Sequence, residues 1–167
     1  TRIYTGPIDY TIKNRVAMNV LSQVLRSRYT ISIREEKGGT YSVGVGGRVM
    51  ADYEPWYQLI VLFDTNEQMA DELSQIIIDE IEKIAKEGPL AEDMDKTREF
   101  LLKDYKKNLE QNGWWLQTIN SYYRYGLDNV NDYEAAVNGV TAADVQALAK
   151  RLLEDKNMIK VVMRPEK

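Results

Sequence analysis

Arg34 and Tyr41 are the two side chains whose types and spacing could do chemistry together. They flank the stretch Glu35-Glu36-Lys37-Gly38-Gly39-Thr40. Before the two glycines the apolar pattern has a helical period. After them it alternates, with Tyr41, Val43 and Val45 on one side and Thr40, Ser42 and Gly44 on the other, as in a strand. Gly38-Gly39 is the break, because glycine alone takes positive φ freely. Arg34 therefore falls in the last turn of a helix and Tyr41 at the start of the next strand. The turn can bring both tips to one place, where a fixed cation beside a phenol forms a donor pair for a carbonyl or an oxyanion. A plainer reading stands beside this one. A cation in a last helical turn complements the helix dipole, and tyrosine is an ordinary strand residue.

The composition removes most other chemistry. The 167 residues contain no histidine and no cysteine. Catalytic zinc sites draw their ligands from histidine, cysteine and carboxylates, and nucleophilic triads need a histidine base. No metal ligands are expected on this chain, so any part it takes in catalysis must be through binding. With 22 basic against 26 acidic side chains the net charge is −4, which argues against a nucleic-acid partner. No apolar run is long enough to span a membrane. A soluble chain is expected, in cytoplasm or periplasm, with the compartment left open.

Leu25-Arg26-Ser27-Arg28-Tyr29, followed by Ser32-Ile33-Arg34-Glu35-Glu36-Lys37-Gly38-Gly39-Thr40-Tyr41-Ser42-Val43, resembles the pitrilysin/insulin-degrading family of zinc metallopeptidases. The likeness is to the non-catalytic domain in the C-terminal half of those enzymes, where a helix ends in Arg-Glu-x-x-Gly-x-x-Tyr before a strand. The resemblance implies that Arg34 and Tyr41 reach toward a zinc site on another domain or chain and hold a peptide or unfolded polypeptide substrate, with Gly38 and Gly39 placing the pair. It implies zinc in the complete enzyme and a zinc-bearing domain or subunit of the same family as partner. Two other readings stay open: an inactive assembly subunit of the same fold, and an unrelated α+β peptide-binding module built on the aromatic cluster Trp114–Tyr125.

The elements that must position the pair follow from periodicity. A short strand at Arg2-Ile3-Tyr4 is closed by Thr5-Gly6-Pro7. One helix is expected from Tyr10 to Arg26, on the stripe Ile12, Val16, Val20 and Val24, and a second from Arg28 to Lys37. Thr40–Met50 reads as a strand whose Gly44, Gly46 and Gly47 predict a bulge or a close backbone approach. Trp56–Phe63, apolar at successive positions, reads as a central strand buried on both faces, antiparallel to its predecessor. Thr65-Asn66-Glu67-Gln68 reads as a capping box opening a helix that Gly88-Pro89 ends. A helix over Ala91–Gln111 follows. Then comes the aromatic helix ending at Gly126, with Trp115, Ile119 and Tyr122 expected in the core. A short helix over Asp132–Asn138 and a helix capped at Thr141 lead to a last strand, Ile159–Met163, stopped by Pro165. Lys160 marks this strand as wet on one face or at a sheet edge.

Together these predict one α+β domain over residues 1–167, a two-layer fold with a mostly antiparallel sheet and helices packed on one face. Measured against the family pattern the chain reads as truncated at its N-terminal side and as a piece of a longer peptidase. Self-association of the isolated piece is expected through an uncovered edge or face.

Overall fold

Thr11 starts the first long helix. Its side chain accepts the Asn14 N–H at 3.1 Å, and Val16, Val20, Leu21, Val24 and Leu25 form a buried stripe. The computed structural model describes residues 1–51 and 53–164. In it, β1 (Arg2–Pro7) leads to α1 (Ile12–Tyr29), then β2 (Val43–Met50), β3 (Trp56–Phe63), α2 (Ala70–Glu87), α3 (Ala91–Asn108), α4 (Asn112–Tyr125), α5 (Tyr133–Gly139), α6 (Ala142–Glu154) and β4 (Met158–Lys160). The four strands form one antiparallel sheet in the order β2-β3-β1-β4. The helices cover one of its faces, giving the two-layer α+β fold. Among the described residues no helix is long and apolar enough to cross a membrane.

The core lies between the two layers. Tyr4, Val43, Val45, Val49, Tyr57, Leu59 and Val61 point from the sheet into Val20, Leu21, Leu73, Ile77 and Ile81 of the helices. α1 passes so close to β2 that a side chain at Gly47 would run into Ser22 and Met18. The close approach read from the glycines is therefore real at Gly47. The bulge is not, because β2 and β3 pair residue for residue from Val43↔Phe63 to Met50↔Trp56.

Further expectations are corrected. No break separates two helices near Ser27: α1 runs to Tyr29 and passes directly into a π-helical turn, Thr30–Glu35. Leu25, Tyr29 and Ile33 continue the buried stripe across the junction, and nothing between Arg26 and Arg28 competes with the helix. β3 is central but not buried on both faces. Tyr57, Leu59 and Val61 are covered, whereas Leu62 on the opposite face is 47% exposed, because the helices that cover the sheet lie on one side.

The capping box at Thr65 does not form. Asn66 Oδ1 accepts the Met69 N–H at 2.9 Å, and the Thr65 hydroxyl goes elsewhere. Finally, Trp115, Ile119 and Tyr122 are not core; they are 37%, 51% and 53% exposed. α4 turns the stripe Trp114, Thr118, Ser121 and Tyr125 inward instead. Thr118 and Ser121 are buried, Trp114 meets Tyr105 edge-on at 5.8 Å, and Tyr125 meets Tyr10 at 4.8 Å. The aromatic stripe is offset from this one by a single residue, about 100° around the helix.

The last strand is shorter than expected. β4 lies at the sheet edge beside β1, all three of its residues are exposed, and Lys160 reaches Asp71 at 3.5 Å. The expected stop at Pro165 lies outside the described residues.

Candidate functional site

The end of the first helical run is shaped by its hydrogen-bond register. The π turn closes with the Glu36 N–H on Ile31 O at 3.0 Å. Gly38 follows with φ of 60°, the left-handed conformation that glycine adopts without a Cβ penalty. Its N–H reaches Arg34 O at 3.1 Å, and the Gly39 N–H reaches Ile33 O at 3.3 Å. These are the two closing bonds of a glycine helix cap, each one residue wider than after an α-helix.

Tertiary contacts then pin the turn. Ile33 is fully buried. A Cβ on Gly39 would lie 2.5 Å from Leu73 Cδ1 and 2.9 Å from Met69 Cε, so only a glycine lets the turn lie this close to the start of α2. The Thr65 hydroxyl donates to Gly39 O at 2.6 Å. Lys37 Nζ meets Glu72 Oε1 at 2.7 Å, and that carboxylate raises the Lys37 pKa above its ordinary value. Thr65, Met69, Leu73 and Glu72 are the positioning residues that sequence reasoning missed. All lie more than 20 positions downstream of the turn, and no local pattern links them to it.

The structure brings Arg34 and Tyr41 together. The Arg34 guanidinium carbon stands 5.8 Å from the Tyr41 ring centroid, a cation–π contact worth about 0.5–1 kcal/mol at an exposed site. Tyr41 is 88% exposed. The alternation that placed it on the inner face with Val43 and Val45 does not reach it, because β2 begins only at Val43. Thr40 and Ser42 form a local turn, with Thr40 Oγ1 donating to Ser42 O at 3.1 Å, and this swings the phenol into solvent. Among the described residues no ion pair uses Arg34. The pair presents one phenolic O–H and the N–H edges of a guanidinium, all donors suited to a carbonyl oxygen or a carboxylate.

The residues do not fit a zinc ion. The chain has neither histidine nor cysteine, and no group of three or more carboxylates among the described residues could hold a metal. Among the described residues the Arg34–Tyr41 pair therefore stands without a metal donor set beside it.

Known proteins carry the same fold. The sequence profile of the Peptidase M16 inactive domain matches residues 3–101. An inactive peptidase domain from Bordetella parapertussis superposes with a TM-score of 0.71 at 14% identity, covering 99% of this chain and 91% of its own. A peptidase M16 inactive domain from Pseudomonas fluorescens gives 0.74 at 18% identity, covering 98% of this chain and 42% of its own. The ferredoxin protease FusC, solved in complex with Arabidopsis ferredoxin, gives 0.76 at 16% identity over 94% of this chain. The chain spans only 18% of that protease. No curated protein matches it in sequence.

Proposed function

This chain belongs to the M16 peptidase family as an inactive domain, and from that premise we propose that it is the substrate-binding, chamber-closing domain of a zinc-dependent endopeptidase. Its partners are a peptide or unfolded polypeptide and a zinc-bearing domain or subunit of the same family. The zinc and its ligands belong to that other part, since this chain has no donor set for them. The observation that carries the reading is the exposed Arg34–Tyr41 pair, held 5.8 Å apart on a turn that three tertiary contacts fix in place.

A substrate carbonyl laid between the two tips would accept one N–H and one O–H. Donors aimed at an oxygen that gains charge during reaction stabilise the transition state more than the ground state. The ring–guanidinium contact pre-orients both groups, so little side-chain freedom remains to be lost when the peptide arrives. FusC in complex with ferredoxin supports a polypeptide as the class of substrate.

The test is steady-state kinetics on the complete enzyme carrying Tyr41→Phe or Arg34→Lys. Tyr41→Phe removes one O–H and little volume, and kcat falls by roughly 10²–10³-fold if that O–H meets developing charge. If it holds only the ground-state peptide, KM rises and kcat survives. Arg34→Lys keeps the charge but loses the planar fork and its stacking on the ring, and kcat/KM falls with it. Folded variants with unchanged kcat/KM would remove the pair from function.

A further inference from the structure

Two guanidinium groups of this chain are buried, and their surroundings differ. Arg28 lies between two carboxylates, Glu80 and Asp93, each at 3.4 Å. Arg2, only 6% exposed, has neutral partners among the described residues. Its Nε and Nη2 donate to Ser74 Oγ at 3.2 and 2.9 Å, and its Nη1 lies 3.6 Å from Met158 Sδ. The Tyr4 hydroxyl also lies against this guanidinium; hydroxyls and a thioether accept some of the five N–H groups but bring no charge to offset the cation. A buried charge is ordinarily paired.

The place left for a counter-charge is a cavity of about 360 Å³ that Arg2 lines. The other charged side chains around it largely satisfy one another. Lys160 pairs with Asp71 at 3.5 Å, and Arg164 with Glu67 at 2.9 Å. Asp64 is the remaining acid on the wall; it is exposed to water, which screens it, whereas Arg2 is shielded. Phe63, Val161, Val162 and Met163 add an apolar stretch to a wall that Thr1, Thr65, Asn66 and Ser74 also line. One buried cation beside an apolar stretch suits a monoanion with an apolar neighbour better than a phosphate.

We infer that this cavity is a carboxylate site for a peptide: the carboxylate docks on Arg2, and an adjoining apolar side chain packs on Phe63 and Val162. Its source is either the C-terminal carboxylate of the peptide or an Asp or Glu side chain. The inference rests on the substrate-handling reading and adds an anchor to it. Thr65 lines the cavity and also donates to Gly39 O, so the anchor adjoins the turn that carries the donor pair.

The experiment is fluorescence anisotropy on the full chain with three dye-labelled hexapeptides. One ends in Leu-Leu with a free carboxylate. The second is its C-terminal amide, and the third is the amide with one internal Glu. The expected result is at least tenfold tighter binding of the free acid, of the Glu-bearing amide, or of both, over the plain amide. The first outcome assigns the source to the chain end and the second to a side chain. Arg2→Met erases the difference. Ala70→Leu, at another position on the wall, fills the cavity and erases it too, so the question stays decidable if Arg2→Met fails to fold.

Equal binding of all three peptides overturns the site. So does a carboxylate preference that survives both folded variants, or displacement of the peptide by inorganic phosphate at lower concentration than by acetate. The two readings fail separately. Carboxylate-blind binding alongside damaging Arg34 and Tyr41 variants removes the anchor and leaves the pair, and the reverse removes the pair and leaves the anchor.

Discussion

Gly39→Ala probes the packing that holds the donor pair in place. Its added Cβ would sit 2.5 Å from Leu73 Cδ1 and 2.9 Å from Met69 Cε, both inside the contact distance of carbon atoms. Met69 is half-buried and can swing away. Leu73 is fully buried in the core and cannot move without disturbing its neighbours. Overpacking of this kind costs about 1–3 kcal/mol. In a chain of this size each kcal/mol lowers Tm by about 2–4 °C. The strain can also be relieved by lifting the turn off α2, which stretches the Thr65–Gly39 hydrogen bond and shifts Arg34 and Tyr41. A displacement of ~1 Å at a positioning element costs about 10²-fold in rate.

Gly38→Ala is the matched control. It adds a Cβ with nothing within 4 Å, at φ of 60°, so its cost is conformational, about 1–2 kcal/mol, with no push on the pair. Urea denaturation gives the stabilities, and peptide hydrolysis by the complete enzyme gives kcat/KM. Both variants should lose stability, but only Gly39→Ala should lose rate strongly. A Gly39→Ala chain as stable and as active as the parent would refute the claim that packing against Leu73 sets the turn.

Other perturbations read the rest of the structure. Burial raises the pKa values of Tyr29, Tyr4 and Tyr57, and at Tyr57 the Asp155 carboxylate adds to it. The folded state keeps these protons after the unfolded chain begins to lose them. Stability is therefore intact below about pH 10 and falls as pH rises above it, by up to about 1.4 kcal/mol per pH unit for each tyrosine; urea midpoints between pH 8 and 11 measure this, and a flat profile would contradict it. Thr141→Ala removes a capping box in which Thr141 and Asp144 bond each other's backbone. It should cost about 1 kcal/mol by denaturant titration, and a loss of a few tenths would show the cap to be dispensable. Arg28→Met leaves Glu80 and Asp93 without their shared cation and should cost about 3–5 kcal/mol. A change below 1 kcal/mol would show that the two carboxylates find other partners or protonate cheaply.

Much of this architecture is legible in the order of residues, because it depends on local chemistry. The stripes Val16–Val20–Val24 and Leu73–Ile77–Ile81–Ile84 repeat with the helical period, and those positions are buried. Thr11, Thr141 and Gly126 cap helices through their own side chains or a left-handed φ. The short connection from β2 to β3 permits only antiparallel pairing. The turn at Gly38 was readable for the same reason, and with it the juxtaposition of Arg34 and Tyr41.

Periodicity cannot say which side of an apolar element meets a neighbour. Leu62 looks like core in sequence and stands in solvent, because the helices that cover the sheet do so from its other face. On α4 the aromatic stripe lost the interior to its neighbour Thr118–Ser121, since a one-residue rotation let Trp114 and Tyr125 reach Tyr105 and Tyr10. Thr65 has the spacing of a cap, yet its hydroxyl serves Gly39, 26 residues away in sequence. Arg2 lies in a strand that reads as ordinary, and its lack of a carboxylate among the described residues appears only once α2 has closed over it. Each of these outcomes depends on contacts between segments far apart in the chain, and no local pattern carries the free energy that selects them.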